Sequence, residues 1–218
     1  MDQHGQEQVL LLKDWYQRYG SKLLTIVIIL LAIYVAYQYF ERKKQANLQQ
    51  ASHIYNELLK VVSVGLDNKA QQEKFDQFYG FLSGDYANTV YADLAGLVRA
   101  KIDVQNQDYK EAESTLNFIL NSTSSDLVKE LAALRLARVL AVNDKVDEAI
   151  KLVSMPSQLF SLEYQVALGD FYLMQDLPEK ALAAYTAAQS SSTDQDPLLQ
   201  MKIARLSQDP EKIIQLKQ

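Results

Sequence analysis

The chain has 218 residues, with 22 Lys plus Arg against 27 Asp plus Glu and a formal net charge of −5 at neutral pH. It contains no cysteine, which excludes disulfides, thiolate metal sites and cysteine nucleophiles but leaves the compartment open, since an oxidising space tolerates a cysteine-free protein. Beyond Lys44 the balance is 16 basic to 23 acidic residues, a net of −7, and an acidic stretch without a basic stripe argues against nucleic-acid binding.

A polar tail, residues 1–22, comes first and holds Lys13, Arg18 and Lys22 with Trp15, Tyr16 and Tyr19. Residues 23–40, LLTIVIILLAIYVAYQYF, then run without a formal charge. As a helix this run spans roughly 27 Å, close to the ~30 Å of bilayer hydrocarbon. Lys22 closes it on one side and Glu41-Arg42-Lys43-Lys44 on the other. Aromatic residues crowd both ends, as interfacial belts do. A buried core helix would show a polar stripe, which this run lacks. A cleavable signal peptide has a shorter apolar region ending in small residues, and Tyr37-Gln38-Tyr39-Phe40 is no such ending. The run predicts a transmembrane helix that anchors the rest. Three basic residues flank it on each side, so the positive-inside rule gives a tie. The free amino terminus tilts that tie towards a cytoplasmic tail.

After the anchor, residues 41–218 read as an all-α domain. Glycine and proline number only seven and four in the chain, and Ala, Leu, Gln, Glu and Lys dominate, as helices require. Turn clusters fall at 65–68, 83–89, 106–108, 121–126, 143–144, 155–156, 176–178 and 190–197, dividing the domain into short antiparallel helices. Residues 47–64 read as a continuation of the membrane helix.

Three of the resulting segments align with one another. In each, a small residue (Ala100, Ala137, Gly169) lies twelve positions before an alanine (Ala112, Ala149, Ala181). A polar turn recurs between them: Asn106-Gln107, Asn143-Asp144, Gln175-Asp176. A charged pair precedes each alanine: Lys110-Glu111, Asp147-Glu148, Glu179-Lys180. The registers repeat at 37 and 32 residues, either side of the 34 of a tetratricopeptide repeat. Small residues at these two places let paired helices approach closely, and each pair must stack on neighbours to bury its open face. The expected organisation is a transmembrane helix followed by tetratricopeptide-like helical hairpins. Residues 47–82 would be a worn first unit and 197–218 a capping helix.

No catalytic, cofactor or metal site is legible. His4 and His53 are the only histidines, and neither stands among carboxylates at ligand spacing. Phosphate-binding glycine loops, G-x-S-x-G and H-E-x-x-H are absent. Carboxylate pairs such as Asp147-Glu148 fall at helix starts, where they favour the helix dipole. Ser190 to Thr193 reads as a hydroxyl-rich turn.

Stacked pairs curve, with their first helices on the concave side. That register turns Leu94, Leu97, Lys101 and Val104 inward from the first pair, and Leu131, Leu134, Arg138 and Ala141 from the second. Val166, Asp170, Leu173 and Met174 follow from the third. Helical spacing alone does not separate a groove from a core. If open, the groove suits an apolar peptide, with Lys101 and Arg138 available to acidic groups.

Several stretches also resemble the YfgM-type ancillary subunits of the bacterial SecYEG translocon, over nearly the whole chain. They are Lys13-Asp14-Trp15-Tyr16 with Gly20 and Lys22, Tyr37-Gln38-Tyr39-Phe40, Ala51-Ser52 with Tyr55, and Tyr91-Ala92. The run Leu134-Arg135-Leu136-Ala137-Arg138-Val139 is the most specific; Gly169-Asp170 and Met201-Lys202-Ile203 complete the set. The resemblance implies a single-pass protein of the bacterial inner membrane, with a cytoplasmic N-terminus and a periplasmic repeat domain. It also implies association with the SecYEG translocon, with a membrane-anchored periplasmic chaperone of the prolyl-isomerase type, and with exported client polypeptides. A less glycine-rich span and a longer polar tail before Lys13 are the departures. The expectation is a non-enzymatic, chaperone-like subunit without a cofactor. A repeat scaffold for another envelope assembly, or a stress-signalling adaptor, would carry the same sequence features.

Overall fold

The computed structural model describes residues 3–191 and 196–208, with side chains from Lys22 onward apart from Leu23 and Gln208, and all regular structure among them is α-helical. The tail side chains expected at the membrane (Lys13, Trp15, Tyr16, Arg18, Tyr19), His4, Ser192 and Thr193, and residues 209–218 of the expected capping helix lie outside the described residues. The chain divides into two compact units, Met1–Gln50 and Ala51–Gln218.

The first unit is a single helical segment, the greater part of α1 (Gln3–Val64). It carries one stretch long and apolar enough to cross a membrane, none of it buried against other residues. Its large apolar side chains, from Leu24 to Phe40, are each half or more exposed. In water such a surface would be costly; in hydrocarbon it is matched. Gln38 Nε2 donates to Tyr34 Oη at 3.0 Å one turn away, so two of the few polar side chains in the run satisfy each other.

In the second unit α1 ends at Gly65, whose φ of +106° is open to glycine and strained for other residues. The later helices are α2 (Lys69–Ser83), α3 (Val90–Gln105), α4 (Tyr109–Ser122), α5 (Asp126–Val142), α6 (Val146–Val153), α7 (Ser161–Met174), α8 (Pro178–Ser191) and α9 (Pro197–Gln208). Their starts follow from local chemistry. Asn68, Thr89 and Ser125 accept from the amides of Gln71, Ala92 and Val128 at 2.9, 3.3 and 3.4 Å, satisfying donors that the first turn leaves open. Pro178 and Pro197 occupy first helical positions, where a missing N–H costs nothing.

The turns inside the three pairs α3–α4, α5–α6 and α7–α8 repeat one geometry. Gln107, Asp144 and Asp176 have φ of 64°, 59° and 57°, and they are the non-glycine residues with positive φ among those described. The residue after each donates its amide five positions back: Asp108 to Asp103, Lys145 to Leu140 and Leu177 to Tyr172, at 2.8, 2.9 and 2.9 Å. This is the six-to-one bond of a Schellman ending, and it closes each first helix identically.

From α2 onward each helix packs on the next, and the first helices of successive pairs also touch, α3 with α5 and α5 with α7. The small residues of the sequence repeat stand at these approaches. Ala112, Ala137, Ala149 and Ala181 are fully buried, and Ala100 nearly so. A Cβ on Gly169 would meet the Tyr185 ring at 2.4 Å. The central core joins α3 to α8 through Leu97, Leu116, Ile119, Leu136, Leu140 and Phe171, among others. Ala51, Leu58, Phe75, Leu82 and Ala95 form a second cluster at the N-terminal end. Tyr185, Ala188, Leu199 and Leu206 help form a third, under α9. The longer α6–α7 connection is held by Glu130, which accepts from Ser157 Oγ at 2.5 Å and from the Leu159 amide at 3.1 Å. Those bonds hold its carboxyl below the ordinary glutamate range.

Candidate functional site

Residues on α3 and α5 separated by three or four positions share a face. On α3 these are Ala100, Lys101, Val104 and Gln105; on α5 they are Arg135, Arg138, Val139 and Val142. With Tyr109 and Leu116 of α4 they enclose a cleft of about 370 Å³. Its floor is largely hydrocarbon. Val142 is 58 % exposed at the rim, and Lys101 and Arg138 are exposed beside it. The Arg135 guanidinium is half-buried and donates through Nη1 to the Leu97 carbonyl at 3.1 Å. Burial, and next the positive charge of Arg138, push Arg135 below its ordinary range; an arginine nonetheless stays charged at neutral pH.

Of the twelve groove positions expected from sequence, the cleft brings together Lys101, Val104 and Arg138. Leu97, Leu134 and Ala141 are 2–3 % exposed and lie in the central core. The inward face of a first helix is thus divided between core and cleft. Leu94 and Leu131 are half-buried against that core. In the third pair, Val166 and Leu173 pack with the cluster under α9. Asp170 Oδ1 accepts from both Tyr185 Oη and Lys202 Nζ, and Met174 remains 49 % exposed. The third-pair positions therefore lie apart from the cleft.

Arg135, Gln105, Tyr109, Leu116, Val139 and Val142 were not among the sequence candidates. Arg135 had a readable signal, standing one helical turn before Arg138. Tyr109 and Leu116 come from the second helix of the pair, which the simple inward-facing register overlooks.

A larger cavity of about 640 Å³ lies between the end of α1, α2 and α3, lined by Asp67, Asp76, Arg99, Lys101, Asp103 and Asp108 among others. Asp103 is only 3 % exposed; its Oδ1 accepts from Arg99 Nε at 2.8 Å and its Oδ2 has no hydrogen-bond partner among the described residues. Burial raises its pKa. Arg99 also reaches Asp76 at 3.1 Å. Much of this cavity's charge is thus spent internally. No group of three or more His, Cys, Asp or Glu side chains is placed to hold a metal among the described residues.

Residues 13–208 match the family model described as a tetratricopeptide repeat-like domain. The chain belongs to that family. It is 27 % identical over 203 residues to the "Ancillary SecYEG translocon subunit" of Aggregatibacter actinomycetemcomitans, covering 92 % of this chain and 97 % of that one. It is 26 % identical over 198 residues to the protein of the same description from Neisseria gonorrhoeae, covering 89 % and 93 %. Among solved structures, the P58(IPK) TPR domain aligns with a TM-score of 0.47 and 15 % identity, over 79 % of this chain and 44 % of that one.

Proposed function

We propose that this protein is a non-enzymatic, membrane-tethered subunit working beside the SecYEG translocon of a bacterial inner membrane. In this reading the tail is cytoplasmic, residues 23–40 cross the bilayer, and the tetratricopeptide repeat-like unit is periplasmic. The supporting observation is that one sequence carries both the apolar span and the repeat unit, and that relatives described as translocon subunits align with it almost end to end. The role is binding. The repeat unit engages exported polypeptides through the concave side of its helical pairs, where Lys101, Val104 and Arg138 stand, together with a membrane-anchored prolyl-isomerase-type chaperone. The anchor acts by effective concentration: a weak binding surface held near its clients is occupied far more often than the same surface free in solution.

Crosslinking in native membranes, followed by identification of the captured proteins, tests this reading. Recovery of SecYEG components with the chaperone and nascent exported chains is expected. Recovery of a different envelope assembly, without translocon components, would overturn it.

A further inference from the structure

We infer that the α3–α5 cleft is selective, taking segments of exported polypeptide in which apolar side chains stand beside acidic ones and rejecting those in which they stand beside basic ones. This rests on the reading that the concave side of the pairs binds polypeptide, and it names the class of segment bound.

The first support is the sign of the local charge. Residues beyond Lys44 carry a net of −7, yet the charged residues lining this cleft are Lys101, Arg135 and Arg138. Several cations elsewhere are ion-paired: Lys60 with Glu57, Arg99 with Asp76 and Asp103, Lys145 with Glu113, Lys202 with Asp170. Among the described residues no carboxylate lies within ion-pair distance of Lys101, Arg135 or Arg138. Lys101 also borders the carboxylate-bearing cavity beside α2, so the positive charge left without a nearby carboxylate is chiefly that of Arg135 and Arg138.

The second support is where that charge stands. Val104, Tyr109, Leu116, Val139 and Val142 make the cleft mostly hydrocarbon, and a charge contact gains strength as water is displaced from around it. Arg135 is half-buried and feels the like charge of Arg138. An incoming carboxylate relieves that repulsion, whereas an incoming ammonium adds to it. At about 370 Å³ the cleft falls within the ~300–1,000 Å³ typical of ligand sites, enough for one or two apolar side chains with the flanking charges held at the rim. An acidic peptide without apolar residues would leave the floor empty, and an apolar peptide with lysines would bring like charges together.

The test uses the full chain in nanodiscs of zwitterionic lipid and three fluorescein-labelled peptides. One alternates Leu with Asp, one Leu with Lys, and one Ser with Asp. The Leu/Asp peptide is expected to bind about tenfold tighter than either of the others, with the preference shrinking as salt is added. The double substitution Lys101→Glu with Arg138→Glu should reverse the order of the two Leu-containing peptides. Both residues are exposed, so the thermal midpoint should hold, and Arg138→Gln supplies a milder variant in which the preference weakens without reversing. Equal binding of Leu/Asp and Leu/Lys peptides would overturn the selectivity while leaving the client-binding role intact. A preference that survives the double substitution would place the selective site elsewhere and overturn the assignment. Binding of no peptide, with translocon crosslinks retained, would overturn both the selectivity and the polypeptide-binding cleft. Charge dependence seen only in nanodiscs of anionic lipid would replace the peptide with lipid headgroups and overturn the inference.

Discussion

Gly169 is held to glycine by its neighbour: a Cβ there would stand 2.4 Å from Cε1 of Tyr185, whose ring is completely buried. That ring is pinned by a hydrogen bond to Asp170 and by Lys202 above it, so it cannot swing away. Gly169→Ala is therefore expected to cost about 1–3 kcal/mol, read as a lowered denaturation midpoint of the full chain in detergent. Gly80 lies inside α2, and a Cβ added there would meet nothing within 4 Å. Gly80→Ala should stabilise by about 0.5–1 kcal/mol, the ordinary helix-interior difference. Equal effects at the two sites would show that α7 and α8 do not approach as closely as the structure has them. The place of Gly169 was legible from its register with Ala100 and Ala137; its specific partner was not, because Tyr185 lies on another helix. Asp103 shows the opposite limit. A carboxylate three residues before a polar turn reads as surface, yet it is 3 % exposed and held by Arg99 one turn earlier on α3.

The turns inside the helical hairpins carry backbone strain. Gln107, Asp144 and Asp176 take a left-handed backbone, which costs an L-residue roughly 1–2 kcal/mol and glycine almost none. Asp144→Gly should thus stabilise the protein by up to about 1 kcal/mol after glycine's extra freedom in the unfolded chain is counted. Asp144→Val should destabilise it by about 1–2 kcal/mol, since a β-branched side chain tolerates this conformation least. Chemical denaturation of the three proteins distinguishes them, and a Gly variant less stable than the parent would remove the left-handed turn from the account. The polar pairs at these turns were readable as a repeat. That the second member of each adopts the left-handed conformation was not, since Gln and Asp announce such a position more weakly than glycine does. The same distinction governs the cleft. Periodicity predicted one inward face on α3 and on α5, but the division between Leu97 and Leu134 in the core and Lys101 and Arg138 outside it depends on how far each helix rolls against its neighbours.

For the whole molecule, the apolar span and the repeat order were legible because each is a one-dimensional pattern of length or spacing. Orientation was not, because basic residues balance on the two sides of residues 23–40. The proposed topology gives a sharp outcome in this cysteine-free chain. A single cysteine at Ser190 should react with a membrane-impermeant thiol reagent in spheroplasts, and one at Gln6 should react only after the membrane is opened. The reverse pattern would put the repeat unit in the cytoplasm. From α2 onward each helix touches the next, and the first helices of adjacent pairs meet. Contacts between near neighbours make for low contact order and rapid folding. A chain that emerges front end first can build its core pair by pair, each new hairpin covering the apolar face that the one before it left open.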